Sequence, residues 1–404
     1  MPQLGRNRIK QKQANGLFFI SVLGALMAFT SLSTDIYLPA MPKMHEDLGG
    51  DIELTVTGFL IGFSLAQLIW GPISDRIGRK KPLMIGLLLF VIGSVACALS
   101  ETITQIMVAR VVQAFGACVG PMLSRAMVRD TYEKTKAAEM LSTLMILMAL
   151  APIVGPLMGG QLLKFSSWHS IFWLLTGIGL VMMIAILWLP ETLYAERRNS
   201  DSVMEAFKKY GVLLKNRSFM MYTFCVTFFY VGVYAFVTGS PAVYITYFKV
   251  DPQDYGWLFA INIVGIASLS FVNRFLVRRF ALGTLLRVAT LVAAVGGISL
   301  VVMATNGWFG IYGIMVGVFC FMAMNGIVAA CTTAAALDKV PHMAGAASAL
   351  LGSLQYGSGI LSSILLAWFG SDDGNPATMA WIIGVFAVLS CSTVYIRYAL
   401  KRFL

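Results

Sequence analysis

Gly71-Pro72-Ile73-Ser74-Asp75-Arg76-Ile77-Gly78-Arg79-Lys80 joins two apolar runs, residues 54–74 and 82–100, and its reading decides how the rest of the chain is laid out. A run of roughly 18 to 28 mostly apolar residues crosses a hydrocarbon layer about 30 Å thick as a helix. A turn that packs Asp75, Arg76, Arg79 and Lys80 into a few residues cannot lie inside that layer, so it marks a membrane boundary. Outward from this turn, further apolar runs fall near 17–40, 103–127, 137–164, 168–190, 218–247, 255–275, 283–305, 308–333, 343–369 and 376–397. The expected fold is an all-α membrane protein of twelve transmembrane helices.

Composition agrees. The 404 residues are 58% hydrophobic and 12% charged, far from a soluble average. The 38 glycines suit helices packed closely in lipid. The net charge of +11 raises nucleic acid as a partner, but the basic residues fall in short clusters between apolar runs rather than on one solvated face. Their placement is topological and the partner is the lipid bilayer. With the first residues in the cytoplasm, all of the 30 Lys and Arg except Lys43, Lys164, Lys249 and Arg110 lie on the inner side. Both termini are therefore expected to be cytoplasmic, in a multi-pass protein of the bacterial inner membrane. Arg6, Arg8, Lys10 and Lys12 before an apolar run look like a signal peptide, but the run is too long, and Asp35 and Pro39 stand where a cleavage site would be. The six cysteines lie in apolar segments without C-x-x-C spacing and read as packing residues.

The longest polar stretch, 191–217, divides the spans six and six. The expected organisation is an amino-terminal six-helix bundle (1–190), a cytoplasmic linker (191–217) and a carboxy-terminal six-helix bundle (218–404). The halves share a faint pattern: Ser33-Thr34-Asp35-Ile36-Tyr37-Leu38-Pro39 and Thr238-Gly239-Ser240-Pro241 end their first helices, and their fifth helices are glycine-rich. Pseudo-symmetric bundles of this kind hold substrate between them near the midplane.

The turn at 71–80 resembles the G-x-L-A-D-R-x-G-R-K signature of the major facilitator superfamily, with Ile73 for leucine. That resemblance implies an interdomain latch built from Gly71, Asp75, Arg76, Gly78 and Arg79, joined by Arg125 or Arg129 from the inner end of the fourth span. A carboxylate is favoured beside a helix amino terminus. Pro341 to Gly345, where the eleventh span begins, lies on the same side.

Arg110-Val111-Val112-Gln113-Ala114-Phe115-Gly116 is similar to the family's R-x-x-Q-G pattern, with Ala114 for a glycine. Arg110 is a full charge inside an apolar helix, which normally faces a cavity or an opposite charge; snorkelling to the outer surface is the alternative. Asp35 is its expected partner, because at 1.5 Å per residue both lie roughly 7 to 11 Å below the outer boundary. Burial and a neighbouring guanidinium act in opposite directions on a carboxyl, so a change of state can move its proton. Asp35 and Arg110 are the expected proton-coupling pair.

Ala151-Pro152-Ile153-Val154-Gly155-Pro156-Leu157-Met158-Gly159-Gly160 resembles the antiporter motif G-x-x-x-G-P-x-x-G-G, with Ala151 for the first glycine. Pro152 and Pro156 bend the helix, while Gly155 and Gly159 let a neighbour approach. A generic packing kink has the same composition. Residues 33–42, Arg129-Asp130-Thr131-Tyr132, Ser167-Trp168-His169-Ser170-Ile171-Phe172-Trp173 and Pro341-His342-Met343-Ala344-Gly345 look like the bicyclomycin- and chloramphenicol-resistance (Bcr/CflA) group of drug:proton antiporters. The resemblance runs from the first helix to the eleventh and implies export of small amphipathic drugs or metabolites by alternating access.

Tyr37, Gln113, Tyr230, Tyr234, Asn262 and Asn325 are expected to line the substrate cavity, though Tyr230 and Tyr234 fit an interface stripe equally and the amides fit interhelical hydrogen bonds. No catalytic triad, phosphate-binding glycine loop or metal-ligand cluster is present in the sequence, so an enzyme and ATP-driven transport are disfavoured and no cofactor or metal is expected. The chain is expected to act as a monomer on protons and a small molecule. Two rivals are a proton-coupled nutrient symporter, against which the fifth-span motif counts, and a non-transporting membrane sensor, which has no need of Asp35 and Arg110.

Overall fold

The computed structural model describes residues 17–198, 203–370 and 373–403; the basic cluster from Arg6 to Lys12 and linker residues 199–202 lie outside them. Every regular element among the described residues is helical. Twelve stretches among them are long and apolar enough to cross a membrane. They are α1 (Leu17–Asp35), α2 (Leu54–Ile77), α3 (Lys80–Ala98), α4 (Ile103–Ala117 and Val119–Thr131), α5 (Lys134–Leu162) and α6 (His169–Leu187). The second set is α7 (Arg217–Pro241), α8 (Pro252–Leu276), α9 (Leu282–Asn306), α10 (Gly310–Ala323 and Asn325–Leu337), α11 (Ala344–Phe369) and α12 (Pro376–Phe403). A linker helix, Val203–Lys215, stands between the sets. We call the face where α1 begins the terminal face and the opposite one the distal face.

Prolines set several helix ends. The first span is expected to run to residue 40 but α1 stops at Asp35, followed by the 3₁₀ turn Leu38–Ala40 and the short helix Met41–Leu48. Pro39 has no N–H for the Asp35 carbonyl and Pro42 none for Leu38. Asp35 is thus the last residue of its helix rather than one turn inside it. In α4 the helix breaks at Cys118, because Pro121 cannot donate to the Ala117 carbonyl. Thr30 Oγ1, from α1, donates to that carbonyl instead at 3.2 Å. The lower half of α4 runs on to Thr131, beyond the expected 127.

Glycines set the closest approaches. A Cβ at Gly58 or Gly62 on α2 would strike the carbonyl oxygens of Met107 and Val111 on α4. α1 packs on α5 and α3 on α6 in the first set; α7 and α9 pack on α12, and α7 on α11, in the second. The two sets meet along α2–α11 and α5–α8. Near the distal face, a Cβ at Gly160 would strike the Pro252 carbonyl, and Gly256 abuts Leu157. On the other seam Phe63 and Tyr356 bring their ring centroids to 4.3 Å, and Gly352 lies against Gln67. Closer to the terminal face, nothing lies within 4 Å of a Cβ built at Gly71 on α2 or Gly345 on α11.

Gly62→Val is therefore expected to cost about 1–3 kcal/mol by overpacking α2 against the α4 backbone. It should lower the detergent melting temperature and the yield of monodisperse protein. Gly177→Ala, where nothing lies within 4 Å, is the control and should leave both unchanged.

Candidate functional site

α4 carries Arg110 into the interior of the first set, fully buried. One guanidinium nitrogen, Nη1, donates to the Ser33 carbonyl at 3.1 Å and to Gln113 Oε1 at 2.6 Å. Gln113 Nε2 in turn donates to Ser94 Oγ at 2.8 Å, tying α4 to α3. The guanidinium carbon lies 4.3 Å from the Tyr37 ring centre and 4.4 Å from that of Phe59, with Phe172 at 6.0 Å. Aromatic faces of this kind stabilise a desolvated cation by about 2 kcal/mol or more. Snorkelling is ruled out by the burial. Nε and Nη2 have no hydrogen-bond partner among the described atoms.

Asp35 is also buried, 7% exposed, and is the one acidic residue in the buried set among the described residues. No ion pair within 4.0 Å joins it to Arg110 among those residues; it lies within electrostatic range without touching. α5 packs directly on it. A Cβ at Gly155 would lie 3.3 Å from Ile36 N and 3.4 Å from Asp35 Cβ, and one at Gly159 would strike the Ile36 carbonyl. Pro152 and Pro156 both sit inside the continuous helix α5. Tyr234 and Tyr255 of the second set lie within electrostatic range of the same carboxyl. Asp35 therefore stands where α1, α5 and the two sets of helices converge.

Between the sets, Tyr230 and Tyr234 on α7 and Tyr356 on α11 form a half-buried aromatic wall, with Tyr234 and Tyr356 6.2 Å apart. The Tyr230 hydroxyl faces the amides of Asn325 and Gln355. Asn262 is 2% exposed, donates to the Leu258 carbonyl at 3.2 Å, and has no partner for its oxygen among the described atoms. Tyr37 and Gln113, expected in the cavity, instead belong to the buried shell of Arg110. Phe59, Phe172, Ser94 and Tyr356 are site residues that sequence reading missed. A crevice of about 520 Å³ between α3 and α4, lined by Ile92, Leu99 and Val108, opens to the lipid side away from Asp35.

At the terminal face, Arg79 is buried and donates to Asp75 Oδ1 at 2.6 Å, Asp130 Oδ2 at 2.8 Å and Ser74 Oγ at 2.8 Å. Burial works against its charge, but Asp130 and then Asp75 outweigh it and push its pKa up. Glu191 accepts from the backbone N–H groups of Arg79 and Lys80 at 2.8 and 3.1 Å, capping α3, and its carboxylate leaves no room for a Cβ at Gly78, whose φ is +98°. Lys80 Nζ donates to the carbonyl of Leu187, the last residue of α6, and to that of Leu189 just beyond it. Gly71, Asp75 and Arg76 in the last turns of α2 and Gly78 and Arg79 just after it are thus brought together, but the bonds of this segment close within the first set. Among the described residues, no hydrogen bond or ion pair joins it to α11. Arg129 is exposed; its neighbour Asp130 makes the contact.

A model of the Major Facilitator Superfamily matches residues 23–363. Among similar proteins, an uncharacterised MFS-type transporter, YdgK, of Bacillus subtilis is 38% identical over 91% of this chain and 92% of its own length. A bicyclomycin resistance protein homolog of Haemophilus influenzae is 29% identical over 95% and 97%. Multidrug resistance protein D of Escherichia coli is 25% identical over 94% and 96%. In fold, the chain matches the partially occluded inward-open xylose transporter XylE of Escherichia coli with a TM-score of 0.72 at 14% identity, over 94% and 96%. The nucleoside transporter NupG gives 0.76 at 11% identity, over 96% and 99%.

The two partners of Arg79 differ in exposure, and removing them should differ in effect. Asp75 is 52% exposed and Asp130 17%. Asp75→Asn is expected to cost about 0.5 kcal/mol, as for an exposed pair, whereas Asp130→Asn should cost about 2–3 kcal/mol by leaving the buried guanidinium short of charge. Thermal unfolding of the two variants in detergent reads the difference.

Proposed function

The chain belongs to the Major Facilitator Superfamily and is a membrane transporter, and on that premise we propose that it is a proton-coupled antiporter exporting small amphipathic drugs or metabolites. The observation that carries this reading is the seat of Asp35: a buried carboxyl at a helix end, pressed by Gly155 of α5, the helix that also closes the distal seam through Gly160. Protonating a carboxyl in that place changes the charge beside the contact that must open for distal release. The Arg110 cage supports the same reading. Its cation is held by rings and carbonyls rather than by Asp35, so the acid is free to lose its charge without stranding a guanidinium that depends on it.

The aromatic wall of Tyr230, Tyr234 and Tyr356, with amides at Asn325 and Gln355, offers stacking surfaces and a few polar groups, which suits amphipathic rather than strongly charged cargo. The similarity to bicyclomycin and multidrug resistance proteins points to drugs and related metabolites as that cargo. The terminal face is the cytoplasmic one in this reading, the bilayer is the inner membrane, and the monomer is the working unit. The energy suffices. A potential of roughly 150 mV gives one entering proton about 3.5 kcal/mol, enough for a gradient of a few hundredfold in a neutral substrate.

Asp35→Asn fixes the uncharged form and is expected to abolish uphill export while sparing some binding, and Asp35→Glu to keep partial activity with a shifted pH profile. The measurement is proton release from purified protein on adding bicyclomycin or chloramphenicol at several pH values, alongside efflux from proteoliposomes under an imposed pH gradient. Equal release from wild type and Asp35→Asn would remove Asp35 from the proton path.

Gly155→Leu tests the mechanical link. It should drive a side chain into the Asp35 backbone and uncouple or stop exchange in protein that still inserts. Unchanged proton coupling in that variant would reduce α5 to scaffold.

A further inference from the structure

Pro72 lies inside α2, and a proline there leaves the carbonyl four residues earlier, Leu68, without its helical donor. Among the described residues the donor comes from outside the helix and from outside the first set: Tyr210 of the linker helix gives its hydroxyl to the Leu68 carbonyl at 3.0 Å. The linker helix itself belongs to the second set. Tyr210 and Leu213 are buried in one cluster with Phe219 of α7 and with Ala347, Leu350 and Leu351 of α11, and the Tyr210 ring meets Phe207 edge to face at 5.7 Å. Leu68 packs against that cluster from α2. One hydroxyl thus crosses from a helix seated on α7 and α11 to a proline-freed carbonyl on α2, on the terminal side of the α2–α11 seam.

We propose that Tyr210 is a positioning residue for the change of state: its hydroxyl closes the carbonyl that Pro72 leaves open and so holds the linker helix against α2 in the arrangement seen here. The proposal rests on the alternating-access reading above. When the sets rotate against one another, the linker helix moves with α7 and α11, the bond breaks, and the Leu68 carbonyl must find water or another donor. Burial raises the Tyr210 pKa and the Asp75 carboxylate adds to the rise, so the phenol keeps the proton it donates throughout the physiological range. Asp75 lies on α2 itself, near its terminal end.

The test is a double-mutant cycle between Tyr210→Phe and Pro72→Ala, because alanine restores a backbone N–H to the Leu68 carbonyl and makes the hydroxyl redundant. Spin labels at Lys81 and Lys339, both exposed at the terminal face, report the spacing of the two sets by pulsed electron resonance in the full chain with its six cysteines replaced. Tyr210→Phe is expected to shift the ratio of separated to approached populations about fivefold away from the spacing seen here, the size of one net hydrogen bond. In the Pro72→Ala background the same change should have no further effect. No shift on Tyr210→Phe, or an equal shift in both backgrounds, overturns the proposal. If Tyr210→Phe alone fails to fold, Tyr210→Phe/Pro72→Ala should fold, and failure of both would assign the hydroxyl another role and overturn it as well. The spacing is read without substrate or proton gradient, so a negative result in the antiport assays leaves this test standing, and a negative result here leaves them standing.

Discussion

Inside a bilayer a polar group finds its partner within the chain or not at all, and most of what is particular to this transporter follows from the few groups that its helices leave over. A proline in a membrane helix frees one carbonyl. At Pro121 the freed oxygen of Ala117 is taken by Thr30, which fixes α1 against the break in α4. At Pro72 the freed oxygen of Leu68 is taken by Tyr210. At Pro39 the helix simply ends, and the residue left at that end is Asp35. Each of these three prolines places a contact or a charge.

The same constraint explains how Arg110 is tolerated. A bare guanidinium in a low-dielectric interior carries a penalty of several kcal/mol, so it needs compensation close by. Here the compensation is spread over one carbonyl, one amide and two ring faces rather than concentrated in a carboxylate. The consequence is mechanistic. A tight ion pair would lock Asp35 in its charged form, whereas a nearby but separate cation biases the carboxyl without binding it. Gly155 then brings α5 to van der Waals contact with the same residue, and Gly159 brings it against the Ile36 carbonyl that follows.

The spans are legible in the sequence because an apolar run as long as a bilayer is thick would be insoluble anywhere else, and Asp35 and Arg110 stand out because charge in such a run is costly. Partners are not legible. Which neighbour a side chain meets depends on helix phase, and adjacent residues point about 100° apart. That is why the fourth helix joins the 71–80 turn through Asp130 rather than through Arg129, and why Tyr37 and Gln113, expected to face the cavity, face Arg110 instead. Tyr210 is invisible for a second reason: its partner is a backbone oxygen, and only the coincidence of Pro72 four residues later makes that oxygen available. A proline in a membrane span is thus a sequence signal that a donor is needed, though not of where the donor comes from.

The two faces are held by different physics. On the distal side the sets meet through glycines that bring backbone against backbone, at Gly160 on Pro252 and Gly256 on Leu157. Such contacts are strong only at contact distance and vanish within an ångström or so of separation, so this side is either shut or open. On the terminal side the joining element is a linker helix with one crossing hydrogen bond. A single net hydrogen bond is worth about 1 kcal/mol, small against a packed seam but comparable with the few kcal/mol that separate states of a working transporter. A transporter whose distal seam dominated outright would never release its cargo. The Pro152–Gly155–Pro156 stretch works against that dominance, because its two prolines weaken the helix that carries the seam, beside the buried Asp35 carboxyl.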